Sequence, residues 1–292
     1  MTECYQVVSR TATPAELFIT ERLWNRVGEL GQTYRRNQPI PHLHLPEFLE
    51  AADAAVIAGD FPSPEAPFWT RYKHYNENKV GLTKIHLFPP RLRQLTEKLN
   101  SSDFLKWLSE LTGIQGLVAD PHVEGGGLHL SGRGGFLNLH ADFSTHYYHQ
   151  SWRRRVNLIL YLNPGWNPEW GGAIEFWDRE TRTRCAKYTP LLNHAVIFNT
   201  DNNALHGFPD PLQCPDNVWR KSVAFYYYTI EGHLRPEPHA TSYQARPGDG
   251  LSKRALIWLD NAAVNLYSRS KARFGFSDNF ASNVLGVLSR KK

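Results

Sequence analysis

The stretch that most constrains this chain is Phe136-Leu137-Asn138-Leu139-His140-Ala141-Asp142. Taken as a β-strand, it sends Leu137 and Leu139 to one face and Asn138, His140 and Asp142 to the other. An imidazole and a carboxylate in His-x-Asp order on one face can grip a single metal ion from the same side. A third ligand completes a two-histidine, one-carboxylate triad with open coordination positions, the arrangement of non-heme Fe(II) sites. His206 is the candidate for it, in Asn203-Ala204-Leu205-His206-Gly207-Phe208-Pro209, a strand running into a Gly/Pro turn. Zn(II) suits the same donors, so the residues alone do not choose the metal.

Further along, Arg220-Lys221-Ser222-Val223-Ala224-Phe225-Tyr226-Tyr227-Tyr228-Thr229 opens a strongly β-prone strand with a cation. Arg220, Ser222 and Ala224 share one face of it, and Lys221, Val223 and Phe225 share the other.

With Arg154-Arg155-Val156-Asn157-Leu158-Ile159-Leu160-Tyr161-Leu162-Asn163 and Trp170-Gly171-Gly172-Ala173-Ile174-Glu175-Phe176-Trp177, these segments resemble the prolyl-4-hydroxylase-like branch of the Fe(II)- and 2-oxoglutarate-dependent oxygenases. The resemblance covers roughly residues 124–230. It implies a mainly β fold, a double-stranded β-helix or jelly roll, with helices added at both ends and the metal inside one mouth. The implied reaction consumes 2-oxoglutarate and O2 at Fe(II), releases succinate and CO2, and oxidises a C–H bond of the substrate, with ascorbate allowed as a reductant. It does not name the substrate, because one fold hosts many chemistries.

The same resemblance suggests roles. Arg220 would grip the distal carboxylate of 2-oxoglutarate with two parallel hydrogen bonds, which Lys cannot copy. Ser222 would add a bond from the same face, and Tyr161 matches a tyrosine that approaches the cosubstrate in relatives. Related halogenases replace the carboxylate ligand with a small residue; Asp142 is intact, which favours hydroxylation. Desaturation, cyclisation and demethylation are the alternative outcomes. Substrate contacts are expected from Asn138 on the metal-facing side, from Arg154, and from His146 and Tyr148 in the aromatic loop after the ligand strand.

At 292 residues, 41% hydrophobic and 13% aromatic, the chain can bury a large core. The net charge of +5 sits mostly in residues 251–292, where eight Lys/Arg face two Asp. No apolar run reaches membrane-spanning length, and Met1-Thr2-Glu3-Cys4-Tyr5-Gln6 lacks the basic-then-apolar start of a signal peptide. Cys4, Cys185 and Cys214 are too few and scattered for a disulfide framework. A cytoplasmic protein with a small-molecule or peptidyl substrate and no membrane partner is the expectation; the motifs do not encode the oligomeric state.

No Gly-Lys-Ser/Thr phosphate loop and no Gly-x-Ser-x-Gly elbow is present. The nucleic-acid dealkylases of the superfamily carry a second arginine six residues after the first; here Tyr226 stands there, which argues against a nucleic-acid substrate. A binding protein that kept the fold and docked its basic tail on a polyanion is the rival, opposed by the intact triad beside Arg220.

In chain order, Thr13-Pro14-Ala15-Glu16 reads as a capping box starting a helix over 14–31. An extended piece at 40–46 follows, then a helix over 47–58 ended by Gly59, a Pro-rich loop at 62–68, and two helices between 91 and 111 broken at Asn100-Ser101-Ser102. Eight strands are expected at 129–131, 136–142, 154–162, 173–177, 185–188, 194–198, 204–207 and 220–229. After Pro236 a linker leads to a helix over 252–269 and a short one beyond Ser277. This divides the chain into an N-terminal support region (1–123), the oxygenase core (124–232) and a linker with a basic helical tail (233–292), together forming one catalytic unit.

Overall fold

The computed structural model describes residues 19–200, 204–232 and 241–274, with side chains up to residue 263 in the last helix. The expected capping box at 13–16, the first four residues of the linker after Pro236 (237–240) and the short helix after Ser277 lie outside the described residues.

The elements run α1 (Glu21–Trp24), α2 (Val27–Arg36), β1 (His42–Leu45), α3 (Ala51–Gly59), β2 (Thr70–His74), β3 (Glu77–Leu82), α4 (Pro90–Leu99), α5 (Ser102–Thr112) and β4 (Val118–Ala119). Then come β5 (Gly127–Ser131), β6 (Phe136–Ala141), β7 (Trp152–Tyr161), β8 (Ile174–Trp177), β9 (Arg184–Tyr188), β10 (His194–Asn199), β11 (Leu205–Phe208), β12 (Arg220–Ile230), β13 (Ser242–Tyr243) and α6 (Leu251–Phe274). All pairings are antiparallel, in the order β1-β10-β7-β12-β5-β3-β6-β11-β8-β9, with β2 on β3, β4 on β12 and β13 on β6. The sheet curls into a nearly closed barrel, the double-stranded β-helix. All eight expected strands form, within two residues at each end.

β7 and β12 pair along their length and are buried on both faces, for different reasons. Val156, Leu158 and Leu160 of β7, with Val223 and Phe225 of β12, point outward into the main core. There they meet Leu92, Leu95 and Leu99 of α4 and Phe104, Trp107, Leu108 and Leu111 of α5, each set at helical spacing. Asn157, Ile159 and Tyr161, with Ser222, Ala224 and Tyr226, point inward and line a cavity. The period of two thus separates a dry layer from a polar one on the same strands. Ser101 caps α5, its hydroxyl accepting from the Phe104 amide, as the sequence signal implies.

Three expectations need correction. The helix over 14–31 does not run through residue 19: Ile19 bridges Leu49, the Thr20 amide donates to the Phe48 carbonyl, and helix resumes as α1 and α2 with a break at Asn25-Arg26. The helix over 47–58 starts only at Ala51, because Glu47 takes a positive φ of 54° and Phe48 and Leu49 are tied to Asn193. The hairpin β2–β3 was not expected at all. Its Arg71-Tyr72-Lys73-His74 strand is polar and lacks the apolar alternation that marks a half-buried strand.

Asn193, itself at φ 62°, is the stitch between the N-terminal region and the barrel. Its side chain accepts from the Leu49 amide at 2.8 Å and donates to the Leu49 carbonyl at 2.6 Å. Asn193→Ala strands both buried groups and removes a side chain that tolerates the left-handed conformation better than alanine. We expect a loss of about 2–4 kcal/mol in urea unfolding; a loss below about 0.5 kcal/mol would mean water replaces the amide.

Candidate active site

His140 on β6 and His206 on β11 face each other directly across the strand pair, their ring centroids 4.4 Å apart. His140 Nδ1 lies 2.9 Å from the Asn138 carbonyl and His206 Nδ1 lies 2.9 Å from the Ala204 carbonyl. A carbonyl only accepts, so each Nδ1 carries the proton and each Nε2 keeps its lone pair. Both Nε2 atoms turn toward Asp142, just past β6: His140 Nε2 is 3.5 Å from Oδ1 and His206 Nε2 is 3.4 Å from Oδ2. Among the described residues these three form the one cluster able to hold a metal ion, with donor atoms all within 4.8 Å. Two fixed, neutral imidazoles and a carboxylate fit one divalent cation with positions left open.

The Asp142 carboxylate is held from behind. Asn157 Nδ2 donates to Oδ2 at 2.7 Å, and the Arg154 guanidinium lies 3.1 Å from the same oxygen. Burial pushes this carboxyl up, but the Arg154 guanidinium overturns that and holds it well below the usual carboxylate range. Burial, reinforced by His140, lowers His206 to about 4, so it stays neutral and ready to ligate.

A cavity of about 220 Å³ opens from the cluster. Arg220 lies in its wall, buried, its Nε donating to the Gly172 carbonyl at 2.8 Å and its guanidinium 4.8 Å from the Tyr161 ring and 4.2 Å from the Phe208 ring. Gly172 has φ 76°, and a Cβ there would meet the Leu212 side chain at 2.7 Å and the Arg220 side chain at 3.0 Å, so glycine suits this position beside the cation. Burial lowers the Arg220 pKa, and no acidic side chain among the described residues offsets it. The Tyr161 hydroxyl is buried beside the Arg220 guanidinium, the group that acts on it most among its neighbours. Ser222 shares the wall, while Lys221 points out, its Nζ 3.3 Å from the Ala58 carbonyl. A buried cation, a phenol beside it and a serine along one wall can receive a carboxylate.

The four expected substrate contacts fall elsewhere. Asn138 faces away because Asn138 and Leu139 together oppose Gly207, a β-bulge between the His140–His206 and Leu137–Phe208 pairs. The bulge puts Leu137 on the cavity and leaves Asn138 donating to Asn76 Oδ1 at 3.0 Å. Arg154 is fully buried beneath Asp142, its guanidinium 3.3 Å from the Tyr226 ring centroid and its Nε donating to Asn157 Oδ1. His146 is buried too, accepting the Tyr148 and His149 amides at Nδ1 with Nε2 3.3 Å from Asp120. Tyr148 is 65% exposed and does not line the cavity. Conversely, Lys79, Glu77, His129, Tyr226 and Tyr243 line it without having been expected there. Tyr226 was accessible to the face argument that placed Arg220 and Ser222; the others carry no local signal.

Residues 126–228 match the family model described as the 2OG-Fe(II) oxygenase superfamily. This match, running from β5 to β12, gives the chain a 2-oxoglutarate-dependent oxygenase core, and its fold is prolyl-4-hydroxylase-like. A prolyl hydroxylase from Trichoplax adhaerens, solved with a hypoxia inducible factor oxygen degradation domain peptide fragment, is 16% identical over 71% of this chain and 89% of its own, with a TM-score of 0.51. A Pseudomonas putida prolyl-4-hydroxylase is 17% identical over 70% of this chain and 100% of its own, also at 0.51. No curated protein matches the sequence significantly. Among the described residues no helix is long and apolar enough to cross a membrane.

Two outcomes follow. Arg154→Met leaves the Asp142 carboxylate buried without its cation, which costs about 3–5 kcal/mol in the metal-free protein. A divalent metal ion should restore part of that loss in a thermal melt. His74, on the wall hairpin, is pushed down by burial but raised to about 9 overall by Asp260 and Glu77. Its contribution is complete below its ordinary value of 6.5 and fades as pH climbs through 9. The melting temperature should fall across that window, and His74→Gln should flatten this part of the profile.

Proposed function

We propose that His140, Asp142 and His206 hold Fe(II), that Arg220 and Ser222 bind the distal carboxylate of 2-oxoglutarate beside Tyr161, and that the enzyme hydroxylates an unactivated C–H bond of an amino acid, a peptidyl residue or a small metabolite. The observation that carries this reading is Arg220, a buried cation without an acidic partner among the described residues, in the wall of the cavity that holds the three donors. An isolated buried cation is expensive, and a ligand carboxylate is the natural compensation.

When bound, iron and 2-oxoglutarate supply the oxidising chemistry, with O2 consumed and succinate and CO2 released. The chain's own part is placement. The Asn138 and Ala204 carbonyls fix the two imidazole tautomers, Arg154 and Asn157 keep Asp142 ionised and aimed, and Ile159, Ile174 and Phe208 exclude water from the wall. Lys79 from the N-terminal region and Tyr243 from the C-terminal region complete the same cavity, which supports one catalytic unit built from residues 1–123, 124–232 and 233–292. The free thiols of Cys185 and Cys214 support a reducing, cytoplasmic setting.

Asp142→Ala or His206→Ala should abolish succinate formation and metal retention while the barrel stays folded. His146→Ala should keep its metal. Arg220→Ala should raise the 2-oxoglutarate requirement about tenfold or more, the effect of losing a buried charge partner, and Lys221→Ala should leave it within about twofold. Titrating 2-oxoglutarate against both variants checks the assignment; a selective defect in Lys221→Ala would overturn it.

A further inference from the structure

The cavity wall holds a second cation that the chemistry above does not use. Lys79, on β3, lines the cavity with its side chain largely buried, and its Nζ lies 3.0 Å from Glu77 Oε2. Glu77 Oε1 lies 2.9 Å from His74 Nε2, and His74 Nδ1 lies 2.8 Å from Asp260 Oδ2 on α6. With His74 protonated at neutral pH, the charges alternate from α6 inward as minus, plus, minus, plus. The chain is neutral as a whole, and its last member is an ammonium facing the cavity.

Stability does not require such a chain. Buried ion pairs are commonly no better than apolar side chains of equal volume, and the neighbouring wall is already built from Leu137, Ile159 and Ile174. What the chain does accomplish is to hold a permanent cation at a fixed place in a nearly dry pocket. The ammonium carries three N–H donors, and Glu77 occupies one side of it while the Tyr72 ring lies 5.6 Å away. Its position also differs from that of Arg220. Arg220 packs on Tyr161 and Phe208, whereas Lys79 pairs with Glu77 and feels the Asp142 carboxylate. The two cations stand on different strands of the wall, Lys79 on β3 and Arg220 on β12.

We propose that Lys79 is a specificity-determining residue that receives a carboxylate of the substrate, so the substrate class is a carboxylate-bearing small molecule, with free amino acids as one case. This rests on the function proposed above and narrows it, since an internal peptidyl residue other than Asp or Glu has no carboxylate of its own to offer.

The test uses the full chain and a panel of L-amino acids with their matching primary amides. Binding is read as a thermal shift in the zinc-loaded protein with 2-oxoglutarate present, and turnover as stimulated succinate formation in the iron enzyme. Wild type should prefer at least one acid over its amide by about tenfold or more, and Lys79→Met should erase that preference. Because Lys79→Met leaves Glu77 unpaired and endangers the hairpin, Lys79→Met/Glu77→Gln, which removes both charges at similar volume, carries the same expectation. Lys79→Arg should keep the preference. Equal binding of acids and amides by wild type, or no acid binding at all, overturns the proposal. So does a loss of 2-oxoglutarate affinity in Lys79→Met as large as that in Arg220→Ala, which would move Lys79 to the cosubstrate end. If wild type fails to bind 2-oxoglutarate, the parent reading falls as well; if it binds 2-oxoglutarate and merely treats acid and amide alike, only the role of Lys79 falls.

Discussion

The contact between Arg154 and Asp142 fixes where the rest of the site can stand. Arg154 lies under the ligand strand, sandwiched between Phe143 and Tyr226, with Asn157 bonded to both it and the carboxylate. A guanidinium tolerates this setting because its planar face stacks on aromatic rings while its edge meets an anion. The result is a carboxylate that stays ionised in a nearly dry pocket, aimed at two imidazoles whose tautomers the backbone has already chosen. Ligand order here comes from side chains on β7 and β12 as much as from the ligands themselves.

That arrangement needs strands buried on both faces. β7 and β12 turn Val156, Leu158, Leu160, Val223 and Phe225 toward α4 and α5, which frees the inner face to be polar without losing the core. Tyr227 joins the layers, its hydroxyl donating to the Leu99 carbonyl at 3.1 Å. The helices matter to the chemistry in this indirect way: they keep the outer face dry, so that Asn157, Tyr161, Arg220 and Ser222 can share the inner one.

Much of this was legible in the sequence, and the limits have physical causes. The eight core strands carry dense β-branched and aromatic residues between Gly and Pro breaks, so periodicity finds them. The His140, Asp142 and His206 cluster follows from spacing, and the Arg220–Ser222 face follows from alternation. Asn138 was misplaced because a β-bulge opposite Gly207 shifts the alternation by one, and bulges leave little local trace. Arg154 was placed against the substrate by resemblance, while the aromatic slot that buries it beneath Asp142 is assembled from Phe143, just past β6, and Tyr226 on β12 and leaves no local signal. The hairpin β2–β3 escaped because its inner face is charged, and a charged inner face has no apolar rhythm to detect.

The hairpin and α6 then belong to one construction. Asp260 reaches both His74 and Asn76, Asn76 is bonded to Asn138, and the Asn138 carbonyl holds His140. Next to it, Asn261 accepts from the Tyr243 amide and donates to the Tyr243 carbonyl, pinning β13 against His140. Two consecutive residues of the C-terminal helix therefore support the cavity from behind, one through a polar chain and one through a strand. A core ending at β12 would leave Glu77 and Lys79 as an ionic pair on an unsupported wall, with the His140 side of the cavity lacking the Tyr243 ring 5.6 Å away. The flanking segments are accordingly part of the site's geometry, because a buried charge keeps its position only when every neighbour in its chain is itself held.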